Sequence, residues 1–163
     1  MTGVWFARID FDAPLREAQS VIRRFLEARP DDRWALVRYE LPQSERHLVA
    51  AVHAVIRSHA DGTQVSTSMD GELLRRLSGS HHVRHAFEVA GVPDGAEAAW
   101  LVHIGDLTDG DVGAMLVAQL DATIDEDAVP LPNPAGRVLL GLPEQGPGDD
   151  VLSLGIMALA DVR

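Results

Sequence analysis

Between Arg75 and His85 the chain carries Arg75, Arg76, His81, His82, Arg84 and His85, with Glu72 as the nearest acid. Arginine forks grip phosphate bidentately. Histidine rings stack on bases. A helix opening near Ser80 would add backbone N–H donors for an anion. That set is chemistry for nucleic acid. The same residues also read as a solvated helix face in a chain that uses arginine for all of its basic residues.

The seven histidines are the other route to chemistry. His81 and His85 stand i,i+4 and, on a helix, would face the same way and could hold a metal. Glu88 is the one candidate for a third ligand, and no metal site is expected. His47, His53 and His59 recur at intervals of six and fall on different helical faces. His103 lies in an apolar run and reads as a core histidine whose ring is hydrogen-bonded.

Several mechanisms are excluded by what the chain lacks. Without cysteine there is no disulfide, thiolate nucleophile or cysteine-based zinc site. No GxxxxGK[ST] or GxGxxG loop occurs, and a lysine-free chain lacks the P-loop cation. No GxSxG elbow occurs either. The 25 carboxylates form no recognisable acid/base motif.

Charge divides the chain. Residues 1–90 carry 12 Arg against 12 Asp/Glu, whereas residues 91–163 carry 2 Arg against 13 Asp/Glu, which accounts for the whole net charge of −11. An acidic half repels phosphate, so nucleic acid is expected only at the first half. A lysine-free acidic chain also suggests a GC-rich genome or a salt-rich cytoplasm. The start of the chain has no basic, then apolar, leader. No apolar run reaches 18 residues, so no membrane span is expected and the expected compartment is the cytoplasm.

The elements that would position these groups follow from periodicity. With 163 residues and 46% apolar content, one domain over residues 1–163 is expected. Val4–Phe11 alternates as a strand. Asp12 and Pro14 suit a helix start, followed by Leu15, Ala18, Val21, Ile22, Phe25 and Leu26 at helical spacing. Trp34–Tyr39 is strand-like. Ser44 opens a helix with the stripe Leu48, Ala51, Val52, Val55 and Ile56, closed by Asp61–Gly62. A shorter helix spans Asp70–Leu77. After Gly79, Ser80 caps another, closed by Gly91, with Val83, Ala86 and Phe87 expected in the core. Ala98–Ile104 is a buried strand. Asp109 caps the next helix, with Val112, Met115, Leu116 and Leu120. Asp121–Pro134 reads as loop or edge, and Arg137–Leu142 as a strand. Asp150 opens a last apolar segment, Val151–Leu159. Strands and helices interleave without a βαβ period. The expectation is therefore an α+β fold, with a small, mostly antiparallel or mixed sheet packed with several helices.

One ordered series of segments is informative as a whole. Glu72-Leu73-Leu74-Arg75-Arg76-Leu77-Ser78-Gly79-Ser80 is followed by His81-His82-Val83-Arg84-His85-Ala86-Phe87-Glu88-Val89-Ala90-Gly91-Val92. His47-Leu48-Val49-Ala50-Ala51-Val52-His53-Ala54 precedes it, and Ala99–Ile104 and Asp150-Val151-Leu152 come after. The series resembles the TPRKB-like (PRPK-binding) accessory subunits of the KEOPS/EKC complex, most clearly over residues 44–105. Where those proteins often carry an arginine pair, this chain has Ser80-His81 or His81-His82.

The resemblance implies a small non-catalytic subunit that binds and modulates the PRPK-type kinase/ATPase subunit. That complex makes threonylcarbamoyl-adenosine in tRNA. The resemblance also implies a grip on the tRNA 3′ CCA end. On that basis Arg75, Arg76, His81, His82 and Arg84 are the expected nucleic-acid contacts. Val151, Leu152, Ile156 and Met157 are the expected kinase-docking residues, and no cofactor is expected. Two other readings stand beside it. One is an acidic stand-alone domain that engages a basic protein, as an inhibitor or immunity protein would. The other is a histidine-based metalloenzyme using His81 and His85.

Overall fold

The structure is a computed structural model that describes residues 4–107, 109–144 and 149–161, with side chains left out at 149–153. In chain order the elements are β1 (Val4–Phe11), α1 (Ala18–Ala28), β2 (Trp34–Arg38), α2 (Glu45–Asp61), α3 (Met69–Ser78) and α4 (Val83–Ala90). Then come β3 (Ala98–Ile104), α5 (Asp111–Gln119), β4 (Ala122–Asp125), α6 (Pro134–Leu139), α7 (Asp149–Ala158) and a 3₁₀ turn at Leu159–Asp161. Among the described residues the strands form one sheet of order β2-β3-β1-β4, antiparallel at every pairing. The fold is α+β, as expected. No described helix is long and apolar enough to cross a membrane.

Alternation along the strands builds two apolar layers, one on each face of the sheet. On one face Trp100, Val102 and Ile104 of β3 and Ala35 and Val37 of β2 meet α2, α3 and α4, through residues such as Leu48, Val52, Leu73 and Leu77. On the other, Ala99, Leu101, Trp34 and Ile9 meet α1 and α5 through Val21, Phe25, Leu116 and Val117. β3 is therefore buried on both sides, which is why its sequence is apolar throughout except for His103. The tryptophans divide between the layers. Trp100 stacks on Tyr39, ring centroids 5.7 Å apart, and donates Nε1–H to the Tyr39 carbonyl at 3.0 Å. Trp5 and Trp34 meet edge to face at 5.7 Å on the opposite side. His103 fits the reading of a core histidine: its ring lies against Trp34 at 4.7 Å and its Nδ1 contacts the Gly105 carbonyl at 3.0 Å.

The helix ends show where local signals decide and where distant ones do. Ser44 caps α2, its hydroxyl accepting from the His47 N–H at 3.0 Å, and Gly62 ends it in the left-handed region. The first helix begins at Ala18, not near Asp12. The backbone of the preceding residues is taken by bonds to Ala96 and Asp121, and the Ala18 N–H is capped by the Asp94 carboxylate at 2.7 Å. The expected strand at Arg137–Leu142 is instead the end of α6, to Leu139, and the turn that closes it. Asn133 accepts the Gly136 N–H and Pro134 occupies the first turn, a local start signal that outweighs the apolar run Val138–Leu140. Asp121–Pro134, expected as loop or edge, supplies β4, the edge strand on β1. Asp150, the expected cap of α7, lies outside the residues with described side chains.

Gly79 governs the turn from α3 towards α4. Its φ is +71°, and a Cβ there would lie 2.5 Å from the Ile156 carbonyl oxygen and 2.6 Å from the Ile156 Cγ2. Gly79→Ala is thus expected to combine left-handed strain with overlap against α7 and to cost about 2–4 kcal/mol in urea unfolding. Gly62→Ala meets nothing within 4 Å at a similar φ of +69° and should cost only about 1 kcal/mol. Equal losses at the two positions would show that α7 does not press on Gly79.

Candidate functional site: the α3–α4 junction

α3 presents Leu73, Leu74 and Leu77 to the core, and on a helix this stripe leaves the intervening polar positions at its edge. Arg75 was expected among the solvent-facing cations. It is instead fully buried, and so is Glu72, one turn before it. The guanidinium holds the carboxylate in a fork, Nε to Oε1 at 2.8 Å and Nη2 to Oε2 at 2.9 Å. Its Nη1 donates to the carbonyls of Ala160 at 2.6 Å, Ser80 at 3.3 Å and His81 at 3.4 Å. Glu72 Oε1 also accepts the N–H groups of Val65 and Ser66 at 3.1 and 2.9 Å. Arg75 is therefore corrected from an RNA contact to an internal strut, because every edge of its guanidinium is spent inside the protein.

Burial alone would push the Glu72 carboxyl up. The hydrogen bond from Arg75, the Ser66 N–H, the Arg75 charge and the Val65 N–H together outweigh that and hold it below the usual carboxylate value.

The other expected contacts lie on the surface that this strut supports. Arg76 is mostly covered, and its Nη1 meets Asp161 Oδ2 at 2.7 Å. His81 is half-buried with Nδ1 3.1 Å from the Ala160 carbonyl oxygen. His82 is exposed at the cap position of α4, where a reciprocal turn with Ser80 fixes the backbone. Ser80 Oγ accepts the His82 N–H at 3.1 Å and donates to the His82 carbonyl at 3.0 Å. Ser80 thus lies two positions before the cap it was expected to be. The rings of His81 and His82 meet edge to face at 5.6 Å. Arg84 is exposed and makes no ion pair among the described residues. The i,i+4 argument for His81 and His85 does not apply, because α4 begins at Val83 and His81 precedes it. His85 instead lies 3.8 Å from Glu88, both exposed. The structure thus gathers Arg76, His81, His82 and Arg84 around one junction and withdraws Arg75.

The expected docking residues divide in the same way. Ile156 and Met157 are half-buried and pack on the layer formed by α2 and α3, so they hold α7 in place. The side chains of Val151 and Leu152 lie outside the described residues. Leu159, in the turn that follows, is 49% exposed.

Sequence reasoning missed an apolar groove between α1 and α4. Leu26 and Phe87 stand 45% and 48% exposed at its lips, and the cavity between them measures about 220 Å³. Phe87 was expected in the core; α4 is short and Ala86 and Ala90 take its inward positions, which leaves the ring outside. The Arg29–Asp70 ion pair, at 2.9 Å, lines the same groove. The available signal was the breadth of the apolar stripes: Ile22 and Leu26 extend that of α1 beyond its buried Ala18, Val21 and Phe25, and Phe87 extends that of α4 beyond its buried Ala86 and Ala90.

The family model described as kinase binding protein CGI-121 matches residues 14–135 of the chain. None of the curated proteins matches it. The matched stretch contains the whole α3–α4 junction and the groove, and it stops before α7.

Removing one member of a buried ion pair strands the other charge, so Glu72→Gln is expected to destabilise the fold by about 3–5 kcal/mol at neutral pH. Because the folded carboxyl is depressed, its stabilisation is complete above the ordinary glutamate value and is lost as pH falls through the lower folded value. The difference between parent and variant in urea unfolding should therefore shrink in acid. A difference independent of pH would mean that the Glu72 charge does not matter.

Proposed function

The chain belongs to the CGI-121 family of kinase-binding proteins, and on that premise we propose that it is a non-catalytic accessory subunit of a KEOPS-type complex, docking on the PRPK-type kinase/ATPase subunit and holding the 3′ CCA end of tRNA. The family match over residues 14–135 carries the kinase half of this reading.

The RNA half rests on the α3–α4 junction. A single-stranded end is held by stacking and by charge along its backbone. His82 and Arg84, two positions apart in the chain and both exposed, offer both. Arg76 and His81 border them. The junction lies in the electrically neutral part of the chain, away from the acidic second half in sequence. Arg75 contributes by fixing the carbonyls of Ser80 and His81, and so the course of the backbone that carries the two histidines.

For the kinase two surfaces compete. The outward side of the C-terminal segment, with Leu159, continues the original expectation. The Leu26–Phe87 groove is favoured by a separate observation: it is apolar, exposed and inside the family-matched residues.

The two docking surfaces separate in a pull-down with a PRPK-type kinase. Phe87→Asp is expected to abolish capture if the groove is used and Leu159→Asp if the C-terminal side is. Capture of neither the parent nor any variant would remove the kinase reading. For RNA, His82→Ala is expected to weaken tRNA binding on the order of tenfold, as loss of one stacked base does. Arg84→Glu should lower the slope of log affinity against log salt by about one. Affinity and slope unchanged in both variants, or unchanged when the CCA end is removed, would reject tRNA-end binding.

A further inference from the structure

We infer that Asp161 is a built-in competitor for the RNA strand, holding Arg76 in an autoinhibitory contact. The inference rests on the RNA half of the reading above. Arg76 lies in the last turn of α3, the helix that leads into the junction with its exposed His82 and Arg84, yet its side chain is only 12% exposed and is engaged by Asp161 of the turn Leu159–Asp161. The Asp161 carboxylate meets Arg76 Nη1 at 2.7 Å. Carboxylate and phosphate use the same guanidinium donors, so while this pair is closed Arg76 cannot bind a nucleotide backbone. The neighbouring Ala160 carbonyl takes His81 Nδ1 in the same way. The turn thus sets an anionic group and a carbonyl against two of the four surface groups that the junction brings together.

The contact is built to open. Asp161 is 61% exposed, so water and salt compete for it, and an ion pair of this kind is worth little to stability. The Arg76 grip is also incomplete. Among the described residues Nη1 alone is hydrogen-bonded, and the buried Nε–H finds no hydrogen-bond acceptor, with Glu72 Oε2 4.0 Å away. A phosphate that engaged the fork through both nitrogens would satisfy what Asp161 leaves unmade. Exchange needs only the Arg76 side chain to turn. Arg75 and the buried Ala160 stay in place, so the fold does not have to open.

The test is tRNA binding by the full chain at low salt, comparing the parent with Asp161→Asn. The variant is expected to bind on the order of two- to fivefold more tightly, the size of an exposed ion pair, with unchanged thermal stability. The gain should vanish at high salt and be absent when Arg76→Gln is already in place, since the two residues then no longer compete. Glu126→Gln makes the same change of charge at an exposed position outside the junction and should leave affinity at the parent value. Equal affinity of Asp161→Asn and parent, an equal gain in Glu126→Gln, or a gain that survives Arg76→Gln would each overturn the inference. If parent binding depends on Arg84 while Asp161→Asn changes nothing, only the autoinhibitory contact falls. If no chain binds tRNA, both it and the RNA reading fall.

Discussion

The buried fork between Glu72 and Arg75 is the constraint on which the functional end of this protein depends. Two charges have been taken out of water, which is costly unless each finds hydrogen bonds as well as its partner. Here they do, and the partners are chosen from separate segments: the loop before α3 at Val65 and Ser66, the junction at Ser80 and His81, and the C-terminal turn at Ala160. A hydrophobic pair could fill the same volume, but it would not dictate where those backbone groups lie. The fork therefore acts less as a source of stability than as a jig. It fixes the path of the chain into α4 and the seat of the C-terminal turn against it.

That jig works because the sheet beneath it is rigid. β3 is covered on both faces, and α2, α3 and α4 lie together on one of them. Gly79 lets α3 end tightly enough for Ile156 to press against it, so α7 and the junction share a wall. Of the surface groups at the junction, the two histidines are short and Arg76 is covered, so these three have little freedom to lose on binding, whereas the exposed Arg84 has more. The apolar groove at Leu26 and Phe87 also draws on α4, through Phe87, so one short helix borders both surfaces proposed for partners.

Much of this was legible in the sequence because it was local. Ser44 and Gly62 announce the ends of α2, the leucines of α3 recur at helical spacing, and the run of β3, apolar but for His103, marks a strand buried on both sides. The ordered segments around the junction were enough to indicate the family. What was not legible came from contacts distant in sequence. The start of α1 is set by Asp94, 76 positions away. Arg75 counts as a surface residue in any hydrophobic pattern, and only the convergence of Glu72, Ser80, His81 and Ala160 on it shows otherwise. Phe87 fits a helical stripe, but the short α4 has room for only two inward positions, which small alanines take. Arg137–Leu142 has the composition of a strand, and the cap at Asn133 decides against it.

The distribution of tryptophan has an optical consequence. Trp100 sits in the layer beneath the junction, stacked on the chain's one tyrosine, while Trp5 and Trp34 sit in the opposite layer, with Trp34 against an imidazole. Each side of the sheet thus carries its own intrinsic fluorophore. Phenylalanine in place of Trp100, or of the Trp5–Trp34 pair, leaves emission from one side alone. Loosening of the helices beneath the junction and of those on the far face can then be timed separately in the same molecule.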